Sequence, residues 1–281
     1  FMVETARKMY HEISPETGEF IDFMIDHQLM DLENKPGKAS TGYMTSLPSL
    51  KAPFVFSCFN HTIFDMQVLT HELGHAFAGY MAMRSQPISD YYSETTDIAE
   101  IHSMSMEQFA YPYAQWFFGD QADKFRFAHL QEALTFVPFG VAVDEFQHIC
   151  YADPQLTPKE RTYQWRLLEE KYMPWRRYDN DAFMERGGYW YHKLHIYLYP
   201  FYYINYTLTT MGAMEFKKKY AEDKAAAWQD YLKLCKTGGS RSYLETLRYA
   251  NLANPFEAGS VARACGYAED ILLRQLAEQE K

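Results

Sequence analysis

The stretch His71-Glu72-Leu73-Gly74-His75 constrains this chain more than any other, because its two imidazoles stand four residues apart. On an α-helix that spacing stacks both rings on one face, where each can offer a nitrogen to a single metal ion. Around it Phe64, Val68, Leu69, Leu73, Ala76, Phe77 and Tyr80 recur at helical spacing with no proline between them, which predicts a helix over 64–83. In such an HExxH helix the carboxylate after the first histidine, here Glu72, can take a proton from a zinc-bound water at neutral pH. A metallopeptidase is the chemistry implied. The plain alternative is a surface helix with two idle histidines.

A catalytic zinc usually has three protein ligands and one open position, so a third ligand must come from elsewhere. A second helix is predicted over 94–118, with Ser93 as its N-cap, and it carries Glu94, Asp97, Glu100, His102 and Glu107. Asp97, Glu100 and Glu107 share one face at spacings of three and seven. Spacing alone does not choose among them, although Glu100, between Ala99 and Ile101, is best placed to point inward. Glu94 reads as part of a solvated face.

The segment KAPFVFSCFNHTIFDMQVLTHELGHAF, residues 51–77, resembles the metal-site region of the M3 oligopeptidases, most closely their oligoendopeptidase F branch. The segments 137–151, 188–206 and 238–256 are similar to the same branch. The resemblance implies one Zn2+ per chain held by His71, His75 and Glu100, the last standing twenty-five positions after His75. It implies that Glu107 hydrogen-bonds a ligand histidine and fixes its tautomer. It also implies substrate and transition-state contacts from His195, Tyr203 and Tyr206, and from Tyr199 at a position that varies among relatives. Read without the family, these tyrosines are an aromatic core stripe, sharing one face if their segment is helical. Asn205 stands where related sequences often carry Asp.

The fold implied is mainly α, a helical zincin of the gluzincin type with a small antiparallel β element beside the metal-site helix. The activity implied is hydrolysis of short oligopeptides by a zinc-bound water, with Glu72 as general base. What the chain resembles, however, is the C-terminal half of a usual family member; the N-terminal half, which forms the other wall of a substrate channel, is absent from these residues. The opening on Phe1-Met2 without a leader fits a fragment, a cleaved product or a polypeptide completed by a second chain. The alternative function is therefore a catalytically incomplete peptide-binding or assembly half that needs the N-terminal portion.

Composition narrows the remaining choices. With 281 residues, 47% of them hydrophobic and 23% charged, the chain suits one catalytic domain spanning 1–281. Aromatic residues make up 17%, which calls for a ring-rich core or an aromatic cleft. A net charge of -10 argues against nucleic acid as a partner. No run of eighteen apolar residues occurs, so no membrane partner is expected and a cytoplasmic setting is. Cys58, Cys150, Cys235 and Cys265 lack CxxC spacing and read as free, buried thiols. His11, His27, His61 and His129 show no partner pattern and read as ordinary surface or core residues; His102 and His148 receive no catalytic task.

Along the rest of the chain, Ser14-Pro15 starts a predicted helix that runs to about Glu33. Extended segments over 39–44 and 53–59 predict a small sheet whose exposed edge could pair with an extended peptide. Further helices are predicted over 121–134, 158–172, 202–219 and 223–234, and two more end at Lys281.

Overall fold

The computed structural model describes residues 1–39 and 41–279. It opens with α1 (Met2–Ile13) and α2 (Pro15–Asp26), joined at Ser14 by a capping box. Ser14 Oγ accepts from the Thr17 N–H at 3.1 Å and the Ser14 N–H donates to Thr17 Oγ1 at 3.1 Å, satisfying two otherwise orphaned donors. The predicted start of this helix is borne out, but its end is not. The backbone turns left-handed at Gln28 (φ 54°), and β1 (Met30–Glu33) follows as a strand. Pairing with a strand formed later in the chain overrides the helical pattern there.

The sheet is completed by β2 (Tyr43–Leu47) and β3 (Ala52–Phe59), in the order β1-β3-β2. The β2–β3 hairpin is antiparallel, with Tyr43 opposite Phe56 and Leu47 opposite Ala52. β1 joins the other side of β3 in parallel, so the sheet is mixed rather than purely antiparallel. β2 is left as the outer strand on the side of the metal helix.

That helix is α3 (Phe64–Ser85). Leu69, Leu73, Ala76, Phe77, Ala78 and Tyr80 are all buried, because α3 is enclosed by the sheet, by α2, by α4 (Thr96–Ala110) and by α10 (Lys224–Thr237). A helix covered on several sides needs apolar residues around most of its circumference. The N-cap of α4 is Thr95 rather than Ser93, and the helix ends at Ala110, short of the predicted 118; a 3-10 turn and α5 (Ala114–Phe118) follow.

Next come α6 (Ala122–Ala152) and α7 (Pro158–Tyr172). α6 runs far past the predicted 134, continuing through Pro138 at the loss of one backbone hydrogen bond. α7 matches its prediction, with Thr157 and Glu160 forming its capping box. α8 (Leu194–Leu198) is a single short turn, and α9 (Ile204–Glu222) packs on both α4 and α6. Between them Phe201 is left-handed (φ 60°), its N–H donating to the buried Gln147 Oε1 of α6 at 2.8 Å. This break prevents Tyr199, Tyr203 and Tyr206 from sharing one helical face.

α11 (Tyr243–Tyr249) and α12 (Ser260–Gln279) close the described chain; the predicted end at Lys281 lies outside the described residues. One large core is built around α3, and a second gathers Phe139, Phe146, Trp165, Trp190 and Tyr203 between α6, α7 and the 188–203 region. All four cysteines are free, but Cys235 alone is buried, so the expectation of four buried thiols is corrected. No described helix is long and apolar enough to cross a membrane.

The closest approach near the motif is at Gly74, where a Cβ would stand 2.7 Å from the backbone Cα of Ser103 and 3.0 Å from Met106 Cβ. Gly74→Ala should therefore lower stability by about 1–3 kcal/mol by forcing α3 and α4 apart. Gly266→Ala, with nothing within 4 Å of its Cβ, should be neutral or stabilising. Urea denaturation of both variants checks this; a Gly74→Ala protein as stable as the parent would rule out the tight crossing.

Candidate metal centre

α3 presents His71, Glu72 and His75, and α4 brings Glu100 against them. Glu100 Oε2 lies 3.1 Å from His71 Nε2 and 3.3 Å from His75 Nε2, and accepts from Ser103 Oγ at 3.0 Å. The two imidazole planes stand at 82°, with centroids 4.8 Å apart. One ligand atom from each of the three residues lies within 4.8 Å of the other two, and among the described residues this is the group of histidines and carboxylates so arranged. Ligand atoms around a tetrahedral zinc, with bonds of about 2.0–2.1 Å, are separated by about 3.3–3.4 Å. The observed spacings fit that geometry. Asp97 is turned away, accepting a hydrogen bond from Thr95 Oγ1.

Burial pushes the Glu100 carboxyl up, and the hydrogen bonds from His71 and His75 more than reverse this, leaving it well below the usual carboxylate range. Burial likewise pushes His71 down, and the Glu100 and Glu107 carboxylates raise it well above its ordinary value. A proton and a metal ion thus compete for the His71 Nε2 lone pair.

Glu107 Oε1 is 2.6 Å from His71 Nδ1. An ionised carboxylate only accepts, so His71 carries a proton on Nδ1 and can turn the Nε2 lone pair toward a metal. The other oxygen, Glu107 Oε2, is 2.6 Å from Nε2 of the buried His129, and His129 Nδ1 is 2.7 Å from the Tyr111 hydroxyl. Burial raises the Glu107 carboxyl and hydrogen bonds from His129 and His71 outweigh it, holding it down at about 2. His129, read from the sequence as an ordinary surface or core residue, is a core residue with a carboxylate partner that no sequence pattern announced. Its partner is 22 positions away, and no local spacing marks the pair.

The reading of Glu94 is corrected. Its side chain is 10% exposed, 3.1 Å from Nδ1 of the fully buried His102, and it lines the cleft rather than a solvated face. Burial raises its carboxyl, and the charge and hydrogen bond of His102 bring it below its ordinary value.

Glu72 is buried, and among the described residues its Oε2 has no hydrogen-bond partner. Burial pushes this carboxyl up, toward its protonated form. Space beside it depends on Gly42, where a Cβ would come within 3.1 Å of Glu72 Oε1. The cleft over these groups has a volume of about 380 Å³ and is lined by Gly42, Tyr43, Met44 and Ser46 at the β2 end, Tyr92 to Glu94 before α4, and Tyr206 from α9.

Tyr206 thus reaches the cleft, and its phenol is pushed far above its ordinary value by burial and by the Glu100 charge, so it stays a proton donor. His195 stands behind it with ring centroids 5.9 Å apart, and burial with the nearby Lys193 lowers its pKa. Tyr203 is 5% exposed and packs edge-on against Phe139 and His195, in the second core and away from the cleft lining. Tyr199 is 59% exposed at the end of α8, also outside that lining. Of the four residues from this region, Tyr206 alone is among those lining the cleft.

Comparison with known proteins agrees with this architecture. The family described as "Peptidase family M3" matches residues 7–265. The chain is 24% identical over 234 residues to an "Oligoendopeptidase F homolog" of Borreliella burgdorferi, covering 80% of this chain and 38% of that protein. It is 22% identical over 285 residues to "Oligopeptidase PepF" of Bacillus subtilis, covering 96% and 40%. A solved structure of "PZ peptidase A with inhibitor 2" superposes with a TM-score of 0.90 at 50% identity, over 97% of this chain and 48% of that one. The chain therefore spans less than half the length of these relatives. Over its own length, it belongs to peptidase family M3.

Proposed function

We propose that this chain is the metal-bearing catalytic domain, over 1–281, of a zinc-dependent metalloendopeptidase that hydrolyses short oligopeptides. The observation that carries the reading is the convergence of His71 Nε2, His75 Nε2 and Glu100 Oε2, at 3.1 and 3.3 Å, beside the buried carboxylate of Glu72, one oxygen of which has no partner among the described residues. One zinc ion, when bound by those residues, would polarise the scissile carbonyl and make a water nucleophilic at neutral pH. Glu72 receives the proton of the attacking water on its free oxygen and delivers it to the leaving amine nitrogen. Tyr206 donates its hydroxyl proton in a hydrogen bond to the carbonyl oxygen as negative charge gathers there, and His195, neutral near pH 7, supports that donation from behind. The free edge of β2 borders the same cleft and offers main-chain hydrogen bonds to an extended peptide, which suits sequence-tolerant binding. The unpaired cysteines suit a cytoplasmic setting.

A second reading has its own observation, the span of less than half of the relatives' length. In it, zinc binding belongs to this chain and turnover requires the N-terminal portion, covalently attached or as a second chain.

Glu72→Gln should retain zinc and lose about 10²–10⁴-fold in kcat/KM on a quenched fluorescent oligopeptide library. Retained activity would remove Glu72 from the proton path. A parent that holds one zinc without cleaving, and cleaves once an N-terminal half is added, favours the second reading. Tyr206→Phe should lower kcat by about 10²–10³-fold with little change in KM, as loss of a transition-state donor requires. A change in KM alone would make Tyr206 a binding residue.

A further inference from the structure

Behind the candidate ligand His71 lies a directional chain of buried hydrogen bonds. Tyr111 and His129 are 8% and 7% exposed, and Glu107 is 6% exposed. Donor and acceptor roles along it follow from one fact, that the Glu107 carboxylate can only accept. His129 must then donate through Nε2, which makes Nδ1 of a neutral ring the acceptor for the Tyr111 hydroxyl at 2.7 Å. Burial raises the Tyr111 phenol well above its ordinary value, so it has a proton to give. Every proton in the series therefore points toward Glu107, and Glu107 in turn fixes the proton of His71 on Nδ1.

The surroundings hold this order rigid. The His129 ring stacks on Phe125 at 7° with centroids 5.5 Å apart, and Arg126 Nε donates to the Tyr111 carbonyl at 3.0 Å. Without His129, Glu107 would be a buried carboxylate with one donor for two oxygens, free to rotate away from His71.

Resting on the metal-site reading above, we infer that His129, oriented by Tyr111, is a positioning residue for the metal centre, holding the Glu107 carboxylate aimed so that His71 presents its Nε2 lone pair to zinc. Neither His129 nor Tyr111 touches metal or substrate, and both act through Glu107. Groups one step beyond the ligands commonly tune metal affinity by about 10–100-fold; here the effect is transmitted through two further residues.

Zinc affinity measured by chelator competition, with the thermal midpoint of each zinc-free protein as a folding control, tests this. His129→Leu should weaken zinc binding about 10-fold or more. His129→Gln, whose amide N–H can take the place of the Nε2 donor, should stay within about 3-fold of the parent. Equal affinity in parent and His129→Leu, or equal loss in Leu and Gln variants of matched folding, overturns the inference. Should His129→Leu fail to fold, ¹⁵N spectra of the imidazoles in the parent decide: a proton on His129 Nε2 and on His71 Nδ1 is expected, while a proton on His129 Nδ1 overturns it. A parent that binds no zinc overturns the metal-site reading itself, whereas zinc binding insensitive to His129 overturns only the positioning role.

Discussion

The crossing of α3 and α4 at Gly74 is the constraint on which the rest of the site depends. Glycine occupies the position just before His75, and the backbone of Ser103 fills the space a side chain would take. One turn before Ser103, Glu100 reaches both histidines; one turn after, Glu107 reaches the far nitrogen of His71. Glu100 and Glu107, two helical turns apart, therefore clasp the same imidazole from opposite sides, at 3.1 and 2.6 Å. A wider crossing would separate the ligand atoms and break the clasp together, because both depend on one distance between two rigid helices.

That crossing draws several carboxylates into the interior, and an isolated buried carboxylate tends to take up a proton rather than stay charged. The structure answers with imidazoles. Glu94 faces His102, Glu100 faces His71 and His75, and Glu107 faces His71 and His129. Glu72 is the exception, with one oxygen unpartnered among the described residues and its carboxyl pushed up by burial. The group without a fixed donor is thus the one whose proposed task is to accept a proton and release it. A fully satisfied Glu72 would be a poorer base, and an unsatisfied Glu107 a poorer anchor.

Features set by near neighbours were legible in the sequence. The HExxH spacing placed both histidines on one face; Ser14-Pro15 and Pro158 marked helix starts that the capping boxes realise; the apolar flanks of Glu100 marked it as inward-facing. Features set by distant partners were not. β1 is a four-residue strand without a flanking proline or glycine at its start, formed because β3 supplies its hydrogen bonds. His129 and Glu94 took on their surroundings only when α6 and α4 were packed, and a lone histidine or acid carries no mark of that in its neighbours. A helix start near 202 was legible, but the left-handed turn at Phe201 was not: its anchor, Gln147, lies 54 residues upstream.

This break also explains how an aromatic-rich chain divides its rings between packing and chemistry. Tyr203 and Tyr206 are three residues apart, close enough for their rings to touch at 5.4 Å, yet one is sealed beneath Phe139 and the other opens into the cleft. Had the segment been one continuous helix from Tyr199, all three tyrosines would have faced the same way, either lost to the core or left exposed. The left-handed turn at Phe201 instead starts α9 afresh, letting Tyr203 wedge His195 in place while Tyr206 reaches over Glu100. Most of the aromatic surplus therefore serves the cores, and the few rings that reach the cleft hold their positions because packed rings lie directly behind them.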